Sequence, residues 1–334
     1  MLQLTEPFAK TKFTSDDHPF QVLALDGGGF RGLFGAQVLA EWERRLGRPI
    51  ASCFDLIVGT STGGIIALGL ASGMPASALV DFYVEDGQKI FPAPRSMWRF
   101  WAGAKHWLTS KYRPATLEAA LKRRFGNKTL GDLTTPVVIP SFALQEGKHW
   151  YFKTPHFDGN LIDQTRPLWE VARATSAAPT FFPAFCSSRS EVFVDGGVLA
   201  NNPSLVGYLE VQLNFRRWAD DVKILNLGTE GGESALPCER LHCGGLLSWA
   251  KPAPELLMQA QAASVESLMP RLLGDGGWLR VKPEHGRGFA PLDHYTPQLY
   301  RGLGMTAAAR TFPEVAKKFL QHQARADLVR FNHR

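Results

Sequence analysis

Phe54-Asp55-Leu56-Ile57-Val58-Gly59-Thr60-Ser61-Thr62-Gly63-Gly64-Ile65-Ile66-Ala67-Leu68 is the stretch on which the fold of this chain turns. Phe54 to Val58 reads as a buried strand and Gly64 to Ala71 as a helix. Between them, Gly59-Thr60-Ser61-Thr62-Gly63 has the Gly-x-Ser-x-Gly form in the strand-to-helix setting that a nucleophile elbow requires. A serine at such a turn sits in strained backbone with its hydroxyl pushed outward, and glycines on either side let strand and helix approach without a clash. The helix that starts there points free N–H groups at the serine and favours negative charge beside it. The segment Leu56 to Met74 also runs 19 residues without a charge, close to the length of a bilayer span. Five glycines, Gly59, Gly63, Gly64, Gly69 and Gly73, break it up, so a buried strand, turn and helix is the expectation.

Upstream, the same order occurs once already. Phe20 to Leu25 reads as a strand, Asp26-Gly27-Gly28-Gly29-Phe30-Arg31-Gly32 as a glycine turn, and Leu33, Phe34, Val38, Leu39 and Trp42 recur at helical spacing until Gly47 to Pro49. Successive strand, turn and helix units imply a parallel sheet covered by helices, hence an α/β class. Gly27, Gly29 and Gly32 also satisfy the Gly-x-Gly-x-x-Gly of dinucleotide-binding folds. That pattern wants an acidic residue closing the second strand, whereas here the second strand ends in the Ser61 turn and Asp55 stands at its start. Consecutive glycine N–H groups leading into a helix suit an oxyanion-binding nest better, with Arg31 adding positive charge or fixing the loop.

The rest of the chain fills in around these units. Strands are expected at Pro136–Phe142, Trp150–Phe152, Val192–Val194 and Val222–Leu227, and helices at Ala115–Phe125, Leu168–Ala174, Pro203–Phe215 and Pro313–Val329. No repeat or long linker is visible, and Glu230 to Arg301, rich in glycine and proline, is the least readable part. The 334 residues are 45% hydrophobic and 20% charged, which suffices for a sizeable core and excludes a disordered chain. A net charge of +6 favours anionic partners mildly and lacks the dense basic stripe of a DNA-binding domain. Cys53, Cys186, Cys238 and Cys243 match neither a disulfide scaffold nor a paired zinc site, and no His, Cys and carboxylate cluster has metal-ligand spacing. Reduced thiols in a cytoplasmic protein are expected, because Met1 to Asp17 has no apolar run of a signal peptide.

Asp195-Gly196-Gly197 follows the apolar Val192-Phe193-Val194, and Asn201-Asn202-Pro203 opens another helix. An aspartate at a strand end beside glycines can reach a neighbouring nucleophile; taken alone, Asp-Gly-Gly is also a common turn. Arg95 to Arg113 interleaves Met97, Trp98, Phe100, Trp101 and Trp107 with Arg95, Arg99, Lys105, Lys111 and Arg113, without an acid. Such a segment suits the surface of an anionic bilayer, or a tryptophan-rich core helix with snorkelling cations.

With these motifs in order, the sequence resembles the patatin-like phospholipases over roughly residues 20 to 230: the glycine loop Asp26 to Gly32, the Ser61 elbow, Ala174-Thr175-Ser176-Ala177-Ala178-Pro179, and Asp195-Gly196-Gly197 before Asn201-Asn202-Pro203. The resemblance implies a three-layer α/β fold with a mainly parallel central sheet and helices on both faces. It implies a serine lipid acyl hydrolase without a catalytic histidine or metal. Ser61 would be the nucleophile, Asp195 the base, and Gly27, Gly28 and Gly29 the oxyanion hole, with Arg31, Gly59, Gly63 and Gly196 in support. None of His242, His285 and His294, which follow Asp195, sits in a recognisable motif. The compact size and the opening Phe20 to Gly29 followed by Arg31-Gly32-Leu33 also resemble the bacterial patatin-like effectors of cyclic-oligonucleotide antiphage signalling, CBASS. That implies a phospholipase silent until a cyclic dinucleotide such as cGAMP binds, then acting at the inner face of the membrane. A constitutive lipase or thioesterase, or a nucleotide-binding protein without enzymatic activity, are the alternatives. The expected organisation is a catalytic core over 18–230 and a C-terminal elaboration of the same domain over 231–334 with a regulatory role; the oligomeric state is left open, a homo-oligomer included.

Overall fold

Six buried residues, Phe20–Leu25, form the central strand β1, and their alternation sets the layering. Leu23 and Leu25 point into one core, while Phe20, Val22 and Ala24 point into a second on the opposite face. A strand apolar on both faces must be covered on both, and it is. The computed structural model in which this is seen describes residues 18–92, 110–157, 161–230, 249, 253–274, 276–284, 292–325 and 328. The remaining strands are β2 (Leu56–Gly59), β3 (Val137–Ala143), β4 (Lys148–Lys153), β5 (Phe185–Cys186), β6 (Val192–Asp195), β7 (Val222–Leu227) and β8 (Trp278–Val281). Their order is β5-β6-β3-β2-β1-β7-β8, with β4 also paired to β3. β1 runs parallel to β2 and β7, β2 to β3, and β7 to β8. The pairings of β3 with β4 and β6, and of β5 with β6, are antiparallel.

On one face, helices Gly32–Leu46, Thr62–Ala71, Leu168–Thr175 and Pro297–Val315 contribute Leu33, Phe34, Ile66, Val171 and Ala308 to the larger core. On the other, Ser204–Asn214 and Ala253–Leu273 bring Tyr208, Val211, Val265 and Met269. The three-layer α/β arrangement with a mainly parallel sheet is thus the observed fold. β8 extends the sheet beside β7, and helix 297–315 packs along helix 32–46, so residues beyond 231 share sheet and core with those before.

One helix expectation is corrected. In place of a helix over Pro313–Val329, the helix spans Pro297–Val315 and widens into a π-turn over Ala316–Leu320. Pro297 starts it and Pro313 lies inside: tertiary packing outweighs the hydrogen bond that Pro313 removes. Trp42 Nε1 donates to the Ala308 carbonyl at 3.2 Å, and Gly304 passes so close that a Cβ there would meet Gln37 Cβ at 2.7 Å. The least readable stretch, Glu230 to Arg301, contains the 21-residue helix Ala253–Leu273, with Pro270 inside, and β8. β2 begins at Leu56 because Asp55 is spent otherwise: fully buried, it accepts from Gln21 N–H at 2.8 Å, His322 Nε2 at 2.9 Å and Arg325 Nη1 at 3.0 Å. It pins the C-terminal segment to the sheet end opposite Ser61. Cys53 and Cys186 are free thiols. Residues 93–109 of the aromatic and basic segment, Cys238, Cys243, His242 and His285 lie outside the described residues. Among the described residues no helix is long and apolar enough to cross a membrane.

Candidate active site

Strand direction brings the motifs together. β2, parallel to β3, and β6, antiparallel to it, run towards each other and end facing: β2 pairs with Ile57↔Val137 and Val58↔Val138, and β6 ends with Asp195 opposite Ser141. Ser61 leaves the end of β2 and Asp195 ends β6, so residues 134 apart in sequence meet. Ser61 Oγ donates to Asp195 Oδ2 at 2.7 Å, and Gly197 N–H holds Asp195 Oδ1 at 2.7 Å. Among the described residues no histidine stands between serine and carboxylate. His156 is bound to Thr154 and Glu210, His322 to Asp55, and His294 is exposed.

Ser61 has φ 54 and ψ −122, the strained backbone expected of an elbow. The flanking glycines are required by space: a Cβ on Gly59 would strike the Gly63 carbonyl, and one on Gly63 the Leu25 carbonyl. Gly196 likewise lies against the Pro140 carbonyl. Burial pushes the Asp195 carboxyl from 3.8 up to about 7, against the pull of the Ser61 hydroxyl, the Gly197 N–H and the Arg173 charge. A carboxylate poised near neutrality and bonded to a serine hydroxyl is suited to general-base work.

The glycine loop closes the third side. Gly27 N–H is occupied by the Asn201 carbonyl at 2.9 Å and Phe30 N–H by the Leu292 carbonyl at 2.7 Å. Gly28 and Gly29 have no hydrogen-bond acceptor for their N–H groups among the described residues, and both line the pocket that holds Ser61 and Asp195. Of the three glycines expected as donors, these two are therefore free to receive an anion. Arg31 fixes the loop from behind: its backbone N–H and Nε both reach the Gly28 carbonyl, at 3.2 and 3.3 Å, and Nη1 pairs with Glu255 at 3.2 Å. Burial raises the Glu255 carboxyl to about 7 despite that neighbour.

Several partners escaped the sequence reading. Asp26, fully buried at the end of β1, receives Asn226 Nδ2 at 2.8 Å and lies 2.8 Å from Arg280 Nη1. Arg280 and Glu255 belong to the least readable part of the chain, and no local pattern marks them. Leu292 and Met258, from the same part, stand at the pocket. Inside, the pocket is apolar, walled by Ile65, Phe82, Ile90, Phe91, Leu117 and Phe182. Phe91, Tyr112 and Phe182 contact ring to ring at 5.3, 5.8 and 6.3 Å. The Tyr83 hydroxyl is bonded to Thr62 and held neutral by burial, so it presents no charge to an apolar chain.

Ser61 and Asp195 line an apolar pocket, and the chain that builds it is similar to known proteins. Residues 23–206 match the family described as Patatin-like phospholipase. A cGAMP-activated phospholipase of Pseudomonas aeruginosa is 37% identical over 317 residues, 92% of this chain and 94% of that protein. One of Vibrio cholerae is 38% identical over 74% of each chain, and one of Escherichia coli is 41% identical over 65% of this chain and 64% of that protein. Match and geometry fall on the same residues, from β1 through the Asp195 strand to the helix after Asn202, and on that basis the chain belongs to the patatin-like phospholipase family, a family of hydrolytic enzymes.

Proposed function

We propose that this enzyme cleaves the acyl esters of membrane phospholipids with Ser61 and Asp195 as a dyad, and that a cyclic dinucleotide switches it on. The observation that carries the reading is the 2.7 Å bond from Ser61 Oγ to Asp195 Oδ2, both of which line the apolar pocket. With an acyl chain in that pocket, Ser61 Oγ attacks the ester carbonyl carbon while its proton passes to Asp195 Oδ2. The carbonyl electron pair moves onto oxygen, where the Gly28 and Gly29 N–H groups receive it; one such donor is worth about 2.7–4 kcal/mol in the transition state. Collapse of the intermediate breaks the ester C–O bond, and the departing lysophospholipid oxygen takes the proton from Asp195. Water then attacks the acyl-serine, losing a proton to Asp195; the Ser61 Oγ–C bond breaks as Ser61 takes that proton back, and a fatty acid leaves.

Activation by a cyclic dinucleotide rests on the relatives named cGAMP-activated phospholipase and on the CBASS-like opening of the sequence. On this reading the enzyme is cytoplasmic, touches the inner membrane only when active, and degrades the cell's own phospholipid in antiphage defence. The test is fatty-acid release from fluorogenic phospholipid vesicles by wild type, Ser61→Ala and Asp195→Asn, with and without a panel of cyclic dinucleotides. Release that needs both residues and one nucleotide is the expected result. Release that needs Ser61 but no nucleotide removes the gating and leaves a constitutive hydrolase. Release unaffected by Ser61→Ala removes the dyad.

A further inference from the structure

The two catalytic strands end on one edge of β3, and something must set the gap between them. Ile57 N–H donates to the Pro136 carbonyl and Leu144 N–H to the Val192 carbonyl, while Thr154 N–H donates to the Val137 carbonyl on the other side. Even-numbered residues of β3 therefore face β2 first and β6 afterwards. Pro140 falls at the gap, where no strand is present to receive an N–H, and proline has none to offer. Its carbonyl still needs a donor, and Thr175 Oγ1 supplies it at 2.6 Å. The same Thr175 oxygen accepts the Ser61 N–H at 2.9 Å. The Thr175 carbonyl accepts Gly196 N–H at 3.2 Å, beside the base. The side chain is fully buried, and its methyl group faces Gly64, where a Cβ would come within 2.8 Å of it.

We propose that Thr175 is a positioning residue for hydrolysis: its hydroxyl fixes the Ser61 backbone to Pro140 while its carbonyl fixes the Asp195 turn, so one residue sets the nucleophile-to-base distance. It touches neither substrate nor reacting atoms. The inference rests on Ser61 and Asp195 being the reacting pair. A valine keeps the shape of threonine but leaves Ser61 N–H and the Pro140 carbonyl without partners; a serine keeps both bonds. Ser61, held in strained backbone, is free to relax once its N–H is released, and misplacement by about 1 Å is enough to cost about 10²-fold in rate.

The experiment compares Thr175→Val and Thr175→Ser with wild type on a soluble p-nitrophenyl ester and on a fluorophosphonate that labels nucleophilic serines. Thr175→Val is expected to lose about 10²-fold in kcat and in labelling rate with KM within about twofold, and Thr175→Ser to stay within about threefold of wild type. Rates are referred to the folded fraction, measured by thermal melt, so that lost stability is not read as lost positioning. Thr175→Val with wild-type kcat, equal loss in both variants, or a loss confined to KM overturns the role of Thr175. Ser61→Ala run alongside keeps the two readings apart: labelling that survives it overturns the dyad itself, whereas Ser61-dependent labelling at an unchanged rate in Thr175→Val overturns only the positioning.

Discussion

Replacing Asp195 by asparagine should make the protein more stable and inactive, and the stability gain should depend on pH. The carboxyl is 1% exposed, and burial lifts it from 3.8 to about 7. A gap of about 3 units at 1.36 kcal/mol per unit sets the cost of ionising Asp195 in the folded state at up to about 4 kcal/mol. Because the folded-state value is raised, the stability linked to the proton is present in full below about pH 4 and is lost as the pH rises to about 7. Asparagine carries no such proton. The difference in unfolding free energy, Asp195→Asn minus wild type, should therefore climb from about pH 4 to about pH 7 and level off above. Glu230 and Glu255, also raised to about 7 by burial, titrate in both proteins and cancel in the difference. Changes in packing or hydrogen bonding shift the whole curve without giving it a slope. Urea titrations of both proteins at pH 5, 6, 7 and 8 measure the difference directly. A flat or falling difference across that range would falsify the buried, proton-holding carboxylate. In the wild type, kcat/KM should follow the ionised fraction and rise about tenfold from pH 6 to pH 8.

Further perturbations test other parts. Ile90→Trp fills the acyl pocket, so kcat/KM along a ladder of p-nitrophenyl esters should fall at least tenfold for a C16 chain and stay near wild type for C4; an equal fall for both would place the chain elsewhere. Asp55→Ala leaves Gln21 N–H, His322 and Arg325 without their shared acceptor and should destabilise by about 3–5 kcal/mol in chemical denaturation, with kcat of the folded fraction unchanged. Single alanine replacements of His242, His285 and His294 should leave vesicle hydrolysis within about tenfold of wild type; a loss matching Ser61→Ala at any one of them would turn the dyad into a triad.

The sequence exposes the parts of this enzyme that are local and hides those that are not. Gly59 to Gly63 is readable because every requirement of the elbow, apolar strand, strained serine and tight glycines, lies within a dozen residues. Asp195 is readable as a strand end, yet its reach to Ser61 depends on β2 and β6 meeting along one edge of β3, and only the combination of motifs announces that. The helix Ala253–Leu273 and β8 give weak local signals, since the internal Pro270 interrupts the helical pattern and β8 has only four residues. The helix Pro297–Val315 begins well before Pro313 because its contacts with Trp42 and Gln37 outweigh local preference.

The glycine loop shows why the distinction matters for chemistry. Three glycine N–H groups are equivalent in sequence, and the structure makes them unequal: Asn201 takes the first, and the other two face the pocket. Their aim is set by Arg31 on the Gly28 carbonyl, by Glu255 on Arg31 across 224 residues, by Leu292 on Phe30, and by Thr229 on the Gly27 carbonyl. An oxyanion hole works by donors fixed before charge develops, so its strength depends on whatever fixes them. In the proposed hole, part of that framework comes from beyond residue 231, from the helix Ala253–Leu273 and from Leu292, which share no motif with Ser61 or Asp195. A change confined to Glu255 or to Leu292 can therefore alter the rate without touching Ser61 or Asp195, just as the elbow itself leans on Thr175, 114 residues away, for its Ser61 N–H.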